Sequence, residues 1–211
     1  MTHTLHRLGS REDLARDYVL IMISAKGLND SGSAPAKRRF FEIVEKYNPV
    51  NTGDPIRGSQ ATLGFSEVKN GARDGTICQA VFRDAETVAA VLKELNRANL
   101  GQSTVVAGLF DEVERCCAKS GLKPHTVEYS LGTWGRTERL GNGKAMEVST
   151  MCGHGMVPVS LVRHLAEQVQ VGRLTSEEAA SKMTRLCTCA VFNTARAAEL
   201  VAAMATSRVP L

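Results

Sequence analysis

The sequence predicts an α/β protein built on one central sheet, because short apolar runs of strand length alternate with longer segments of helical periodicity. The predicted order is β-α-β-α-β-α-β-β-α-α-α. We expect a sheet that is either parallel or mixed, with a ferredoxin-like arrangement among the alternatives, and the sequence leaves this choice open. The first strand is continuously apolar, as in strands covered on both faces. We divide the chain into an N-terminal arm (1–16), an α/β sheet domain (17–150) and a C-terminal helical extension (151–211) packed on the same domain.

Composition narrows the class of protein. The chain has 211 residues, 43% of them hydrophobic, which is enough for a core without crosslinks. A net charge of +4 and an aromatic content of 5% argue against nucleic-acid binding. No signal peptide is visible, and the longest apolar run, Tyr18 to Ile23, is too short to span a membrane. We therefore expect a cytoplasmic protein whose 6 cysteines stay reduced.

The first half of the chain opens with an apolar strand and a well-marked helix. Residues 18–23 form the predicted strand. After a turn-rich loop, Ser33 is a natural N-cap for a helix over 34–47, whose apolar residues repeat at helical spacing. Residues 49–74 are rich in Gly, Pro, Asn and Asp, which predicts a long functional or mobile loop, such as a lid, with a short strand at 61–65.

The middle of the chain alternates clearly between the two periodicities. Residues 76–82 and 103–109 are predicted strands. Asp84 and Asp111 are expected to cap the helices that follow them. Residues 126–134 are predicted as a further strand, since apolar and polar side chains alternate there.

The last third of the chain is predicted to be mainly helical. A short strand at 145–149 is expected to pair back as a hairpin. A helix then starts at Pro158, a second starts at the capping box that Thr175 opens, and a third is capped by Asn193.

Two matched pairs of soft ligands flank the predicted helical hairpin. Cys152 and His154 precede it, and Cys187 and Cys189 follow it. Thiolate and imidazole groups suit zinc or an iron–sulfur cluster. Three Cys and one His complete a tetrahedral zinc shell, whereas three Cys alone could hold a cluster with one iron open to a substrate. The sequence therefore predicts a metal site that uses all four residues if the hairpin folds back on itself.

The same residues also suit a metal-free thiol enzyme, because a cysteine before a helix can have a lowered pKa. Met151-Cys152-Gly153-His154-Gly155 resembles the Met-Cys-Gly-His-Gly loop of proline racemases and hydroxyproline epimerases. The resemblance implies that Cys152 is one of two catalytic thiols acting on a small carboxylate. The second motif of that family has a Cys followed by Gly-Thr-Gly, whereas Cys189 is followed by Ala190-Val191-Phe192.

A glycine-rich loop after the first strand is the third candidate site. Gly27, Gly32 and Ser33 precede a capped helix, so that backbone N–H groups could cradle an anion, with Lys26 and Arg38 as nearby cations. The loop lacks the lysine of a phosphate-binding P-loop, because Ser33 occupies that position, and an NTPase is not expected.

Three functions are compatible with these patterns. The first is a metal-dependent protein, iron–sulfur or zinc, that acts as an enzyme on a small anionic molecule through Cys152 and His154. The second is a metal-free cysteine enzyme with racemase-like chemistry. The third is a non-catalytic ligand-binding or regulatory module that uses the glycine-rich loop. No nucleic-acid or membrane partner is expected, and the oligomeric state is left open, a homo-oligomer included.

Overall fold

A computed structural model describes residues 4–141 and 143–207. Its sheet is built from five strands, which are β1 (Tyr18–Ile23), β2 (Asn51–Asp54), β3 (Gly58–Ser59), β4 (Cys78–Phe82) and β5 (Ser103–Ala107). They lie in the order β3-β2-β4-β1-β5, and every neighbouring pair runs antiparallel.

Helices cover both faces of this sheet. Those of the described residues are α1 (Arg11–Leu14), α2 (Ala34–Glu45), α3 (Gln60–Leu63), α4 (Phe65–Asn70), α5 (Ala85–Ala98), α6 (Phe110–Ser120), α7 (Lys144–Ser149), α8 (Val159–Gln170), α9 (Ser176–Thr184) and α10 (Thr194–Thr206). The predicted N-caps are confirmed at Asp84, Thr175 and Asn193, whose side chains each accept a backbone N–H of the first turn. Asp111 instead lies inside α6, whose N-cap is Leu109.

The two faces of the sheet belong to two hydrophobic cores. Tyr18, Leu20 and Met22 of β1 pack with α2, α4, α5 and α6. Val19 and Ile21, which point the other way, pack with α7, α8, α9 and α10. The protein thus has a mixed α/β fold of three layers, with the C-terminal helices forming one outer layer.

The prediction of a parallel or mixed sheet is wrong. The strands β1 and β2 do run in the same direction through α2, but β4 lies between them and is antiparallel to both. Helices cover both faces of β1, so its residues are buried without alternation. A continuous apolar run indicates burial on two faces, and it does not distinguish a parallel strand from an antiparallel one enclosed in the same way.

The predicted long loop over 49–74 is also wrong, because this segment contains β2, β3, α3 and α4. The predicted strand at 61–65 falls on the end of α3 and the start of α4. The strand β2 was not predicted because its residues are polar and resemble those of a loop. Asn51, Thr52 and Asp54 are nevertheless all buried. Backbone pairing with β4 and a bond of 2.6 Å from Thr52 Oγ1 to the carbonyl oxygen of Gln79 explain the strand.

Two further strand predictions fail for different reasons. Residues 126–134 form no strand, although their side chains alternate as expected, because no other strand of the described chain pairs with them. Residues 145–149 belong to α7 rather than to a hairpin strand. Ala145 and Val148 are buried there at a spacing of three, which is a helical spacing that a five-residue window cannot separate from a strand.

Candidate functional site

Two turns at the same end of the C-terminal layer carry the four predicted ligands. Residues 150–158 connect α7 to α8, and residues 185–193 connect α9 to α10. The helices α8 and α9 pack against each other, and α10 packs against both. This hairpin brings the two turns together.

The four side chains form a continuous row. The Sγ atoms of Cys187 and Cys189 lie 3.7 Å apart, and Cys189 Sγ lies 3.6 Å from His154 Nδ1. At the other end of the row, Cys152 lies near enough to Cys187 for each thiol to shift the pKa of the other. All three cysteines are buried to 2% exposure or less, whereas His154 reaches the row from an exposed turn.

Proton sharing along the row separates the pKa values of the three thiols. The hydrogen bond with Cys187, together with burial, raises the pKa of Cys152. The bond with Cys152 acts to lower the pKa of Cys187, but the bond with Cys189 and burial outweigh it and raise that pKa to about 11. Hydrogen bonding from Cys187 lowers the pKa of Cys189 against the effect of burial. Cys189 is therefore the thiol of the row that ionises most readily.

Backbone N–H groups also point at the sulfur atoms. Those of Met156 and His154 bond to Cys152 and act to lower its thiol pKa. The N–H of Val191 bonds to both sulfurs of the second turn. Each sulfur thus has a donor that would stabilise a thiolate, free or bound to a metal.

The second turn is held against the sheet at one tight contact. Ala190, which follows Cys189, has a φ of 60°, a left-handed conformation that is uncommon for a residue other than glycine. Its Cβ atom would lie only 2.8 Å from a Cβ added to Gly53 of β2. Glycine at position 53 therefore allows the Cys-x-Cys turn to pack directly on the sheet.

A buried network of charged side chains lies beside the site, and the sequence did not predict it. The carboxylate of Asp17 accepts from Arg7, from Arg196 at 2.9 Å and from Asn193 at 3.0 Å. Arg7 also donates to the carbonyl oxygen of Val191 in the second turn. One feature of the sequence could have indicated this network. Arg196 lies on the apolar face of α10, where a charged residue predicts a buried partner of opposite charge.

The glycine-rich loop is placed apart from the cysteines. It leads into α2, which packs on the opposite face of the sheet. The N–H groups of Gly32 and Ala34 donate to the carboxylate of Asp74 at 2.8 and 2.7 Å, and these bonds lower the pKa of Asp74. An internal anion thus occupies the start of α2.

Around this loop, the remaining residues of the predicted anion site differ in exposure. The side chains of Lys26 and Arg38 are exposed, as are Gly27 and Gly32, and Ser33 is buried. Ser33 occupies the N-cap position, but its hydroxyl donates to the carbonyl oxygen of Asp30 and does not cap the helix. A ligand at this loop would have to displace Asp74 or bind beside it.

The side chains of the row are not arranged around one common centre, as the ligands of a metal ion would be. Among residues 4–141 and 143–207, no group of three or more His, Cys, Asp or Glu side chains has the arrangement that would hold a metal ion. The row offers three buried thiols and one imidazole, with Cys189 in contact with both Cys187 and His154. Such a set can bind a soft or borderline cation after small shifts, or it can move a proton between sulfur and nitrogen.

Comparisons of the chain with protein-family models, with curated proteins and with solved structures gave no match. The resemblance of Met151–Gly155 to the racemase loop stays a prediction. Within the part of the chain that the structure describes, every helix is too short or too polar to cross a bilayer.

Proposed function

We propose that Cys152, His154, Cys187 and Cys189 bind one zinc ion. In a tetrahedral shell with Zn–S bonds of about 2.3 Å and a Zn–N bond of about 2.0–2.1 Å, two sulfurs lie about 3.8 Å apart and a sulfur and a nitrogen about 3.6 Å apart. The separations of 3.7 Å between Cys187 and Cys189 and 3.6 Å between Cys189 and His154 have these lengths. This agreement is the observation that supports the proposal.

Binding would require the row to close around one centre. Cys152 and His154 stand at its two ends, and both must turn towards the position between them and the other two sulfurs. The hydrogen-bonded protons now held between the thiols would leave, since only thiolates bind zinc. The backbone N–H groups that point at all three sulfurs favour this charged state.

A single ion agrees better with the row than an iron–sulfur cluster does. A cluster distributes its protein ligands over more than one iron, so at least some ligand atoms must lie farther apart than in the shell of one ion. Here two consecutive pairs, Cys187 with Cys189 and Cys189 with His154, have the separations of ligands on one ion. Zinc is therefore the metal that we propose, and an iron–sulfur cluster is the alternative that the metal analysis below would reveal.

The ligand set favours a closed site. Four protein ligands fill a tetrahedral zinc shell, which is the pattern of structural zinc, whereas catalytic zinc keeps one position for water or substrate. We infer that the ion crosslinks the α7–α8 turn to the α9–α10 turn. Catalysis on a small anionic molecule would require one ligand to leave, and His154 is the exposed one.

A metal-free thiol enzyme is the second candidate, because one observation favours it. Cys189 has a lowered pKa and lies 3.6 Å from His154, as in a thiolate–imidazole pair. Two features oppose racemase-like chemistry with Cys152 as the other catalytic thiol. Cys187 stands between Cys152 and Cys189 in the row, where a substrate would have to lie, and Cys189 is only 1% exposed.

The experiment is a metal analysis with a matched pair of variants. The protein, purified under reducing conditions, is incubated with zinc, desalted and analysed for zinc and iron. We expect about one zinc per chain in the wild type, loss of zinc in Cys187→Ser and retention in Cys78→Ser, because Cys78 is equally buried but lies in the other core.

The outcomes separate the candidates. A folded wild-type protein that takes up no zinc, or a Cys187→Ser variant that retains it, would overturn the proposal, and iron with inorganic sulfide would select a cluster. Iodoacetamide distinguishes the thiol candidate. If Cys189 acts as a catalytic thiolate, it must be reachable and should be alkylated at neutral pH in native protein with or without added zinc. Because Cys189 is only 1% exposed, protection supports zinc binding only where the zinc-free protein is alkylated and added zinc prevents it.

A further inference from the structure

The strand β5 is an edge without protection. Its inner side pairs with β1, and no strand of the described residues pairs with its outer side. Its sequence, Ser103–Ala107, has no charged residue and no proline, which are the features that usually guard an edge against pairing. The opposite edge, β3, is only two residues long. An unguarded edge of five residues is expected to be covered.

A wide groove runs along this edge. Its volume is about 1280 Å³, and its floor is formed by apolar side chains of α5, α6 and β5, among them Leu92, Leu95, Val106 and Val113. Residues 122–130 form the far wall. The groove therefore offers both unpaired backbone groups and an apolar surface, which is what an added β-strand requires.

The far wall belongs to a segment with the sequence of a strand but without strand partners. Between the residues that the structure describes, no backbone–backbone hydrogen bond involves 123–134. Apolar side chains alternate along it, and Val127, Tyr129 and Leu131 are 60%, 63% and 72% exposed. Trp134, at its end, is 80% exposed. A segment of this composition is stabilised when its backbone pairs and its apolar face is buried.

Contacts within the chain hold this segment across the groove from β5. The ring of Tyr129 packs edge-on against Phe110 with centroids 6.1 Å apart. The hydroxyl of Ser130 lies 2.9 Å from Nδ1 of His6. Neither of these two contacts involves β5. They hold the segment in place without pairing its backbone with the β5 edge.

We propose that two copies of the chain form a dimer in which the 126–134 segment of each copy pairs with the β5 edge of the other. A second copy offers a free edge for the segment of the first copy and a free segment for its edge. A two-fold axis between the copies would form both strand pairs at once. The occupant of the groove is thus a strand of the same protein.

The exposed side chains are sufficient for such a dimer. An aromatic residue buries about 150–250 Å² when it is fully enclosed, so Tyr129, Trp134 and Phe110, with the aliphatic side chains beside them, offer roughly 600 Å² per copy. Two copies would bury about 1,200 Å² in total, which is the lower limit of stable interfaces, and the strand pairs would add backbone hydrogen bonds.

The test is the mass of the full chain in solution, measured by light scattering during gel filtration. For a chain of 22.8 kDa, we expect twice that mass for the wild type at micromolar concentration. Val105→Lys, which places a charge on the edge, and Leu131→Lys, which places one on the segment, should each raise the dimer dissociation constant at least tenfold. Leu28→Lys is the matched control, since Leu28 is 86% exposed and lies outside the groove, and it should stay dimeric.

Circular dichroism confirms that each variant is folded. A wild type that is monomeric at these concentrations, whether its segment stays free or pairs with its own β5, would overturn the proposal. So would dimers that persist in both folded groove variants, because another surface would then carry the interface.

Discussion

The Sγ atom of Cys189 lies 3.6 Å from Nδ1 of His154, although the two residues are 35 positions apart. This contact joins an exposed turn to a buried pair of thiols, because the helical hairpin between them doubles back. If a zinc ion binds between these two atoms, it crosslinks the α7–α8 turn to the α9–α10 turn. The affinity for zinc should therefore depend on pH, because the thiols must lose their protons, and on the packing that holds the α9–α10 turn in place.

Zinc binding should release protons. The pKa values of Cys152 and Cys187 are raised, so both thiols are protonated at neutral pH and must lose their protons to bind zinc. The bound state thus carries fewer protons, and affinity should fall as pH falls. We expect a net release of about two to three protons per ion, or about two to three decades of affinity per pH unit.

Calorimetric titration with zinc in buffers of different ionisation enthalpy measures this proton release. Release of fewer than one proton per ion, with an affinity independent of pH between 6 and 8, would contradict thiolate ligation by these cysteines.

The Asp17 carboxylate should be a major determinant of stability. Its side chain is fully buried and pairs with the buried side chains of Arg7 and Arg196. Asp17→Ala would leave Arg7 without a carboxylate and would leave Arg196 with Glu147 alone, 3.5 Å away. Removing one partner of a buried ion pair costs about 3–5 kcal/mol. The free energy of unfolding, measured with urea, should fall by that amount.

The matched control is Asp111→Ala. Asp111 pairs with Arg11 on the surface, where both side chains are more than half exposed and solvent screens the attraction, so Asp111→Ala should change the free energy of unfolding far less than Asp17→Ala. Equal effects of the two substitutions would show that burial does not set the energy of the Asp17 network.

Gly53→Ala should disturb both the sheet and the site. The added Cβ would lie 2.8 Å from the Cα of Ser59 and 2.8 Å from the Cβ of Ala190, closer than ordinary contact. Overpacking of this kind costs about 1–3 kcal/mol, and displacement of Ala190 should also weaken zinc binding at Cys189.

Gly71→Ala provides the comparison for this substitution. Its new Cβ would meet the end of the exposed Arg57 side chain, which can move aside. Thermal unfolding and zinc affinity report on both variants, and a Gly53→Ala protein with wild-type values for each would refute the packing described for the second turn.

Local signals in the sequence predicted the helices well and the sheet poorly. Asp84, Thr175 and Asn193 act within three residues of themselves, so their capping roles can be read from adjacent residues. The strand β2 depends instead on a partner that is remote in sequence. Its residues Asn51–Asp54 resemble a turn until β4 pairs with them.

The same distinction applies to the candidate site. The spacing of Cys152, His154, Cys187 and Cys189 around a helical hairpin predicted that the two turns meet, and Cys189 of one turn does lie 3.6 Å from His154 of the other. The shared metal site of all four residues stays a prediction. The Asp17–Arg196 pair was not predictable as a pair, because its partners are 179 positions apart and no pattern links them.

X-ray absorption at the zinc edge of the zinc-loaded protein tests the central proposal most directly. We predict a four-coordinate shell of three sulfur atoms at about 2.3 Å and one nitrogen at about 2.0–2.1 Å, with loss of one sulfur in Cys152→Ser. A shell made only of oxygen and nitrogen, or a sulfur count unchanged by substitution of Cys152, Cys187 or Cys189, would contradict the account.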